Sequence, residues 1–256
     1  MPRTLLPFSQ YELSSILGMV ISGMGLAGLS VRPMPIDSRP KAAAYAGIGT
    51  FAACGVAIIQ TSLVLRDGLR FSFASTAYFL AVLAVIILAV AGGLLVLLSI
   101  ALGGPLSASL GMALAALAVG IWVRYFILGV ATVPSPASLL FLVGATRWLP
   151  ALLVGAALAW CGLGTLRQGV AWVVNLLLLW VVPAALAGLS NAAGSRILAG
   201  DFREMASAGV GAFLSSLGST AGSLGPVVVA VVVAVAVLYV LSAVATGKRP
   251  APQLHV

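Results

Sequence analysis

The chain is 256 residues long, with 62 % hydrophobic and only 7 % charged residues, where a soluble domain carries roughly 25 % charged. That composition excludes a soluble fold, which needs a polar shell. Long unalternating apolar runs such as VVVAVVVAVAVLYVL exclude a membrane β-barrel and point to helices that satisfy their own backbone in lipid.

The net charge is +8, from thirteen Lys and Arg against five Asp and Glu. The basic residues are scattered among apolar runs, so the expected partner is the membrane surface and its lipids, not nucleic acid. Arg-rich, Ala-, Val- and Leu-rich usage suggests a GC-rich bacterial genome. The N-terminal stretch MPRTLLPFSQYELSS has one Arg and no small-residue cleavage site, so no cleaved signal peptide is expected.

A hydrocarbon core of roughly 30 Å needs about 20 helical residues. The first span is predicted over 13–31, with Ser9 and Glu12 as a capping box ahead of it. Ser14, Gly18 and Ser22 repeat every four residues and form a small-residue face for close packing or assembly with a partner or a second copy. Arg32, Arg39 and Lys41, with Pro33, Pro35 and Pro40, make a basic loop that reads as a solvated flank. The second span is predicted over 42–65 and the third over 74–102, with a kink at Gly92-Gly93. Gly103-Gly104-Pro105 is a tight turn.

The stretch from Ile121 to Leu149, IWVRYFILGVATVPSPASLLFLVGATRWL, is almost wholly apolar yet carries Arg124 and Arg147 on either side of Pro134-Ser135-Pro136. No acidic residue lies between Asp67 and Asp201. Two foldings are open. In one, 106–133 and 137–166 are long helices, and the arginines face one another about 15 Å from the turn. In the other, 106–123 and 148–166 are complete spans, and 125–146 is a broken element that dips in and returns. Pro150 near a helix start and the interfacial aromatics Trp122, Tyr125 and Trp148 favour the second. Two readings of the arginines follow. As anchors, they snorkel to headgroups. As a binding pair, they recognise one phosphate or carboxylate.

The sixth span is predicted over 170–193, holding Asn175 and Pro183. Asn175 is a candidate substrate contact, and its blander role is an interhelical hydrogen bond. The segment 205–222, MASAGVGAFLSSLGSTAG, is weakly apolar and is either a seventh span or an interfacial or re-entrant piece. The last span is predicted over 227–244, before the polar tail KRPAPQLHV. If 205–222 crosses, both termini are cytoplasmic and nine basic residues lie inside against four outside, which the bias of cytoplasmic loops prefers.

The absences are informative. The single histidine, His255, lies in the tail, and the two cysteines, Cys54 and Cys161, lie in apolar runs. No metal site and no cofactor are expected. No Walker A, C-x-x-C or G-x-S-x-G sequence occurs. Asp201 and Glu204 are the one acidic pair at helical spacing.

The expectation is therefore an all-α polytopic integral membrane helix bundle. It has about eight transmembrane helices, seven clear or broken and one marginal. One transmembrane domain covers 1–256, with short polar termini at 1–9 and 247–256. The expected function is a non-enzymatic transporter-like component, or a subunit of a membrane complex, in the bacterial plasma membrane. It would handle a lipid-like or anionic solute through Arg124, Arg147 and Asn175. The alternatives are an enzyme acting on a phosphate-bearing lipid headgroup, with Asp201 or Glu204 moving the proton, and a passive channel.

Overall fold

The computed structural model describes residues 13–68, 73–130, 135–194, 202–219 and 224–247. All regular structure among them is helical: α1 (Leu13–Val31), α2 (Arg39–Gly68), α3 (Phe73–Leu102), α4 (Pro105–Val130), α5 (Pro136–Thr146), α6 (Leu149–Cys161), α7 (Leu166–Gly194), α8 (Phe202–Gly218) and α9 (Gly225–Gly247). Among the described residues seven stretches are long and apolar enough to cross a membrane: α1, α2, α3, α4, α5 with α6, α7 and α9. The protein is an all-helical membrane bundle. The Ser9–Glu12 capping box, Arg196, Asp201 and the tail from Lys248 lie outside the described residues.

Internal contacts divide the chain into two compact units, Met1–Pro150 and Ala151–Val256. In the first, α1 packs chiefly against α3 and α4. Its small residues explain how. A Cβ on Gly18 would lie 2.9 Å from the backbone nitrogen of Trp122, and one on Gly25 would lie 2.5 Å from the Cβ of Ala115. These two contacts make α1 and α4 antiparallel. A Cβ on Gly28 would lie 2.8 Å from the carbonyl oxygen of Leu97, and one on Gly93 would lie 2.6 Å from Met24 Sδ, so α1 and α3 run parallel. The backbones approach closely because nothing larger than hydrogen stands between them. The small-residue face of α1 is thus used within the chain, with Ser22 buried. Gly93, expected to bend α3, instead makes room for Met24, and α3 is one uninterrupted helix over Phe73–Leu102.

In the second unit α7 and α8 are antiparallel. A Cβ on Gly188 would lie 2.8 Å from Gly209 O, and Trp180 Nε1 donates to Leu217 O at 3.1 Å. The marginal segment is therefore a 17-residue helix, about 25 Å long, lying along the C-terminal half of α7. Its end reaches Trp180, near the middle of that helix. Leu224 N donates to Ser219 O at 3.3 Å, so α9 starts beside the end of α8. Between α6 and α7, Gly162 adopts φ +77, the left-handed conformation that closes many helices. Gln168 then donates to Cys161 O at 2.7 Å, and Trp172 Nε1 donates to Gly162 O at 3.0 Å.

Candidate functional site

The arginine pair lies on the α4–α5 hairpin of the first unit. The sequence favoured α4 ending at Val123, and that is corrected: α4 continues unbroken through Arg124 to Val130. Arginine is a good helix former, and no proline or glycine pair follows until the end of the helix. The chain breaks on the return. Pro150 has no N–H to give to the carbonyl of Thr146, so α5 ends at Thr146 and α6 starts at Leu149. Trp148 N turns back to Ala145 O at 3.1 Å. The start of α5 is fixed by Ser135 as N-cap, a Ser135–Ser138 capping box and Pro136 in the first turn.

One contact sets the register of the hairpin. A Cβ on Gly120 would meet the Pro150 ring, with Cδ at 2.9 Å. From that level, Arg124 is four residues further towards the tip along α4, about 6 Å. Arg147 is three residues further towards the tip on the returning strand of the hairpin, about 4.5 Å if its rise is helical. The two arginines therefore share one level, as the symmetry of the sequence about Pro-Ser-Pro suggested.

Arg124 and Arg147 are both exposed. The Arg147 guanidinium lies over the Trp148 ring, 4.6 Å from its centroid, a cation–π arrangement. It also follows the C-terminus of α5, where the helix dipole favours a cation. Trp122 and Phe126 flank Arg124 along α4, their rings 5.6 Å apart.

Depth follows from α4 alone. Arg124 is nineteen residues from Pro105, about 28 Å along the axis, close to one hydrocarbon thickness. The remaining six residues to Val130 add about 9 Å, comparable to the headgroup layer of one leaflet. Beyond the arginines the hairpin stays apolar. Phe126, Leu128, Leu140 and Phe141 are exposed, the last two to 74 % and 75 %.

Asn175 belongs to the second unit. It is fully buried in α7 and makes a polar contact. The arginines and Asn175 thus fall in different units, and the pair is the group that one unit holds. Glu204 lies in the first turn of α8, where the dipole favours an acid, and Asp201 is outside the described residues. Among the described residues no three of His, Cys, Asp and Glu gather at metal-binding distance.

The sequence reading missed Arg32. It is not a solvated flank. Its Nη1 donates to the carbonyl oxygens of Ile100 and of Gly103, the latter at 3.0 Å. Ile100 lies in the last turn of α3 and Gly103 just beyond it, where carbonyls have no partner within the helix and the dipole is negative. Burial pushes the Arg32 pKa below its usual value, and the nearby Arg39 charge adds to the shift. Arg39 itself donates from Nε to Met34 O at 2.8 Å. The one hint in the sequence was position: Arg32 directly follows α1, and a Gly-Gly-Pro turn ends the helix that α1 packs on.

Comparisons with protein-family models, with curated protein sequences and with solved structures find no match to this chain.

Proposed function

We propose that this protein is a non-enzymatic membrane component that holds or moves an anionic solute or lipid at the Arg124–Arg147 level of the α4–α5 hairpin. The observation that carries the reading is the shared level of two exposed arginines in a stretch of 133 residues, 68–200, with no acidic side chain. Two like charges at one level repel in a medium of low dielectric. An anion between them turns repulsion into two charge-assisted contacts. The Gly120–Pro150 register, the exposure of both side chains and the aromatic rings beside them support it.

With the N-terminus cytoplasmic, as the distribution of basic residues favours, the pair faces the leaflet that carries anionic lipids. The test is mild extraction from the native membrane followed by mass spectrometry of bound lipids and proteins. One anionic species retained by the wild type and lost from the Arg124→Gln/Arg147→Gln protein is the expected result. Equal retention of all anions by both proteins would sink the reading.

A further inference from the structure

We infer that the anion is a phosphate ester carried by a membrane lipid without a cationic headgroup, reached sideways from the leaflet. This rests on the binding role proposed above and names its ligand.

The first argument is depth. Counted along α4, Arg124 stands about one hydrocarbon thickness from Pro105, so a span that enters the bilayer at Pro105 brings it to the level of lipid phosphates. Trp122, Tyr125 and Trp148 cluster at the same level in the sequence, as rings do at the membrane interface. The charges therefore meet phosphate where the leaflet already holds it.

The second argument is the surface on either side of the charges. Towards Pro105, Leu114 and Trp122 of α4 are exposed, a wall against which acyl chains can lie. Towards the tip, Phe126, Leu128, Leu140 and Phe141 are exposed, and α5 has no charged residue from Pro136 to Thr146. A small hydrated anion gains nothing from apolar walls. An amphiphile held by its phosphate at the arginines gains burial along the Leu114–Trp122 wall, in proportion to the apolar surface covered.

The third argument is charge. A headgroup bearing its own ammonium would bring a third cation to a level that has two and, between 68 and 200, no acid. A headgroup of net negative charge is complementary. Arginine also suits phosphate through its planar fork of donors, which two lysines would not reproduce.

The experiment uses the full-length protein in phosphatidylcholine nanodiscs, with three probes: phosphatidate, extra phosphatidylcholine and inorganic phosphate. The wild type is expected to take up phosphatidate over phosphatidylcholine by roughly tenfold or more, the loss expected when charge-assisted bonds are removed. Arg124→Gln/Arg147→Gln should abolish that preference, and Arg124→Lys/Arg147→Lys should keep only part of it. A diazirine-bearing phosphatidate should crosslink wild-type residues within 121–149, an arm that needs no variant to fold. Protection by inorganic phosphate equal to that by phosphatidate, or no preference over phosphatidylcholine, overturns the lipid assignment but leaves an anion site. Crosslinks confined to other helices, or a double Gln variant that binds like the wild type, overturn both.

Discussion

The two ends of the first unit treat arginine in opposite ways. At one end Arg32 is drawn into the protein and donates to the last carbonyls of α3. At the other, Arg124 and Arg147 are exposed. The difference lies in what each helix offers. α3 stops at Leu102 in a Gly-Gly turn and leaves carbonyls open beside Arg32. α4 does not stop near Arg124, so its carbonyls there are taken by the next turn. Arg147 lies at the end of α5 but sets its guanidinium over Trp148. A cation beside a helix terminus is drawn into the fold where open carbonyls of a packed neighbour lie within reach, as at Arg32; Arg124, in the body of α4, stays exposed.

Mutations can break or sharpen this contrast. The largest effect is expected from Gly28→Val, at the Arg32 end, where the new side chain would strike Leu97 O and Ile100 Cβ. Unfolding in mixed detergent micelles should show a loss of about 3 kcal/mol, the upper range for overpacking. Its counterpart Gly129→Ala, near the tip, meets nothing within 4 Å. It should be neutral or add about 0.5 kcal/mol through helix propensity. If both glycines tolerate a side chain equally, the Arg32 end is not the tightly packed one.

Next in size is Arg32→Gln, expected to cost about 1–2 kcal/mol as α3 loses a cation at its C-terminus. Thermal unfolding in the same detergent reads it. Arg124→Gln/Arg147→Gln should lower stability in lipid-free detergent by about 0.5–1 kcal/mol, the exposed cation–π contact and the charge at the end of α5 being lost. A double variant less stable than Arg32→Gln would make the pair structural. The smallest effect is expected from Trp148→Leu, which removes the ring beneath Arg147. Exposed cation–π pairs contribute about 0.5 kcal/mol, so a measurable loss well above that would mean Trp148 anchors the α5–α6 turn itself.

Most of the fold was legible because lipid leaves a chain few options. Unbroken apolar runs of bilayer length gave α1 at its observed bounds and α3 and α7 within a few residues. Pro150 gave the start of α6 but not its length: in sequence 148–166 reads as a complete span, and α6 ends at Cys161, where Gly162 turns left-handed. Three features were not legible, each for a physical reason. The continuation of α4 past Val123 was hidden because interfacial aromatics near an arginine fit a helix end and a helix middle equally. The role of Arg32 depended on carbonyls 68 and 71 positions later in the chain, which only the parallel packing of α1 on α3 brings near. For the site, the symmetry of Arg124 and Arg147 about Pro-Ser-Pro was visible. Their common level was visible with it; what fixes that level was not, because it rests on the seating of Pro150 against Gly120. α8 stayed ambiguous because its stability comes from Gly188 and Gly209 in contact, and composition does not reveal which glycines meet.

The packing of α1 has a consequence for synthesis. Gly28 rests on Leu97 and Ile100, and Gly25 rests on Ala115, all translated well after α1. At roughly 5–20 residues per second, these surfaces follow α1 from the ribosome several seconds later. During that interval α1, the least hydrophobic of the seven spans at mean hydropathy 1.6, stands in the bilayer with its Gly18–Ser22–Gly25 face uncovered. A nascent chain halted before α3 is complete therefore presents the one stage at which an insertion factor, or a neighbouring nascent copy, meets that face before its own helices close over it.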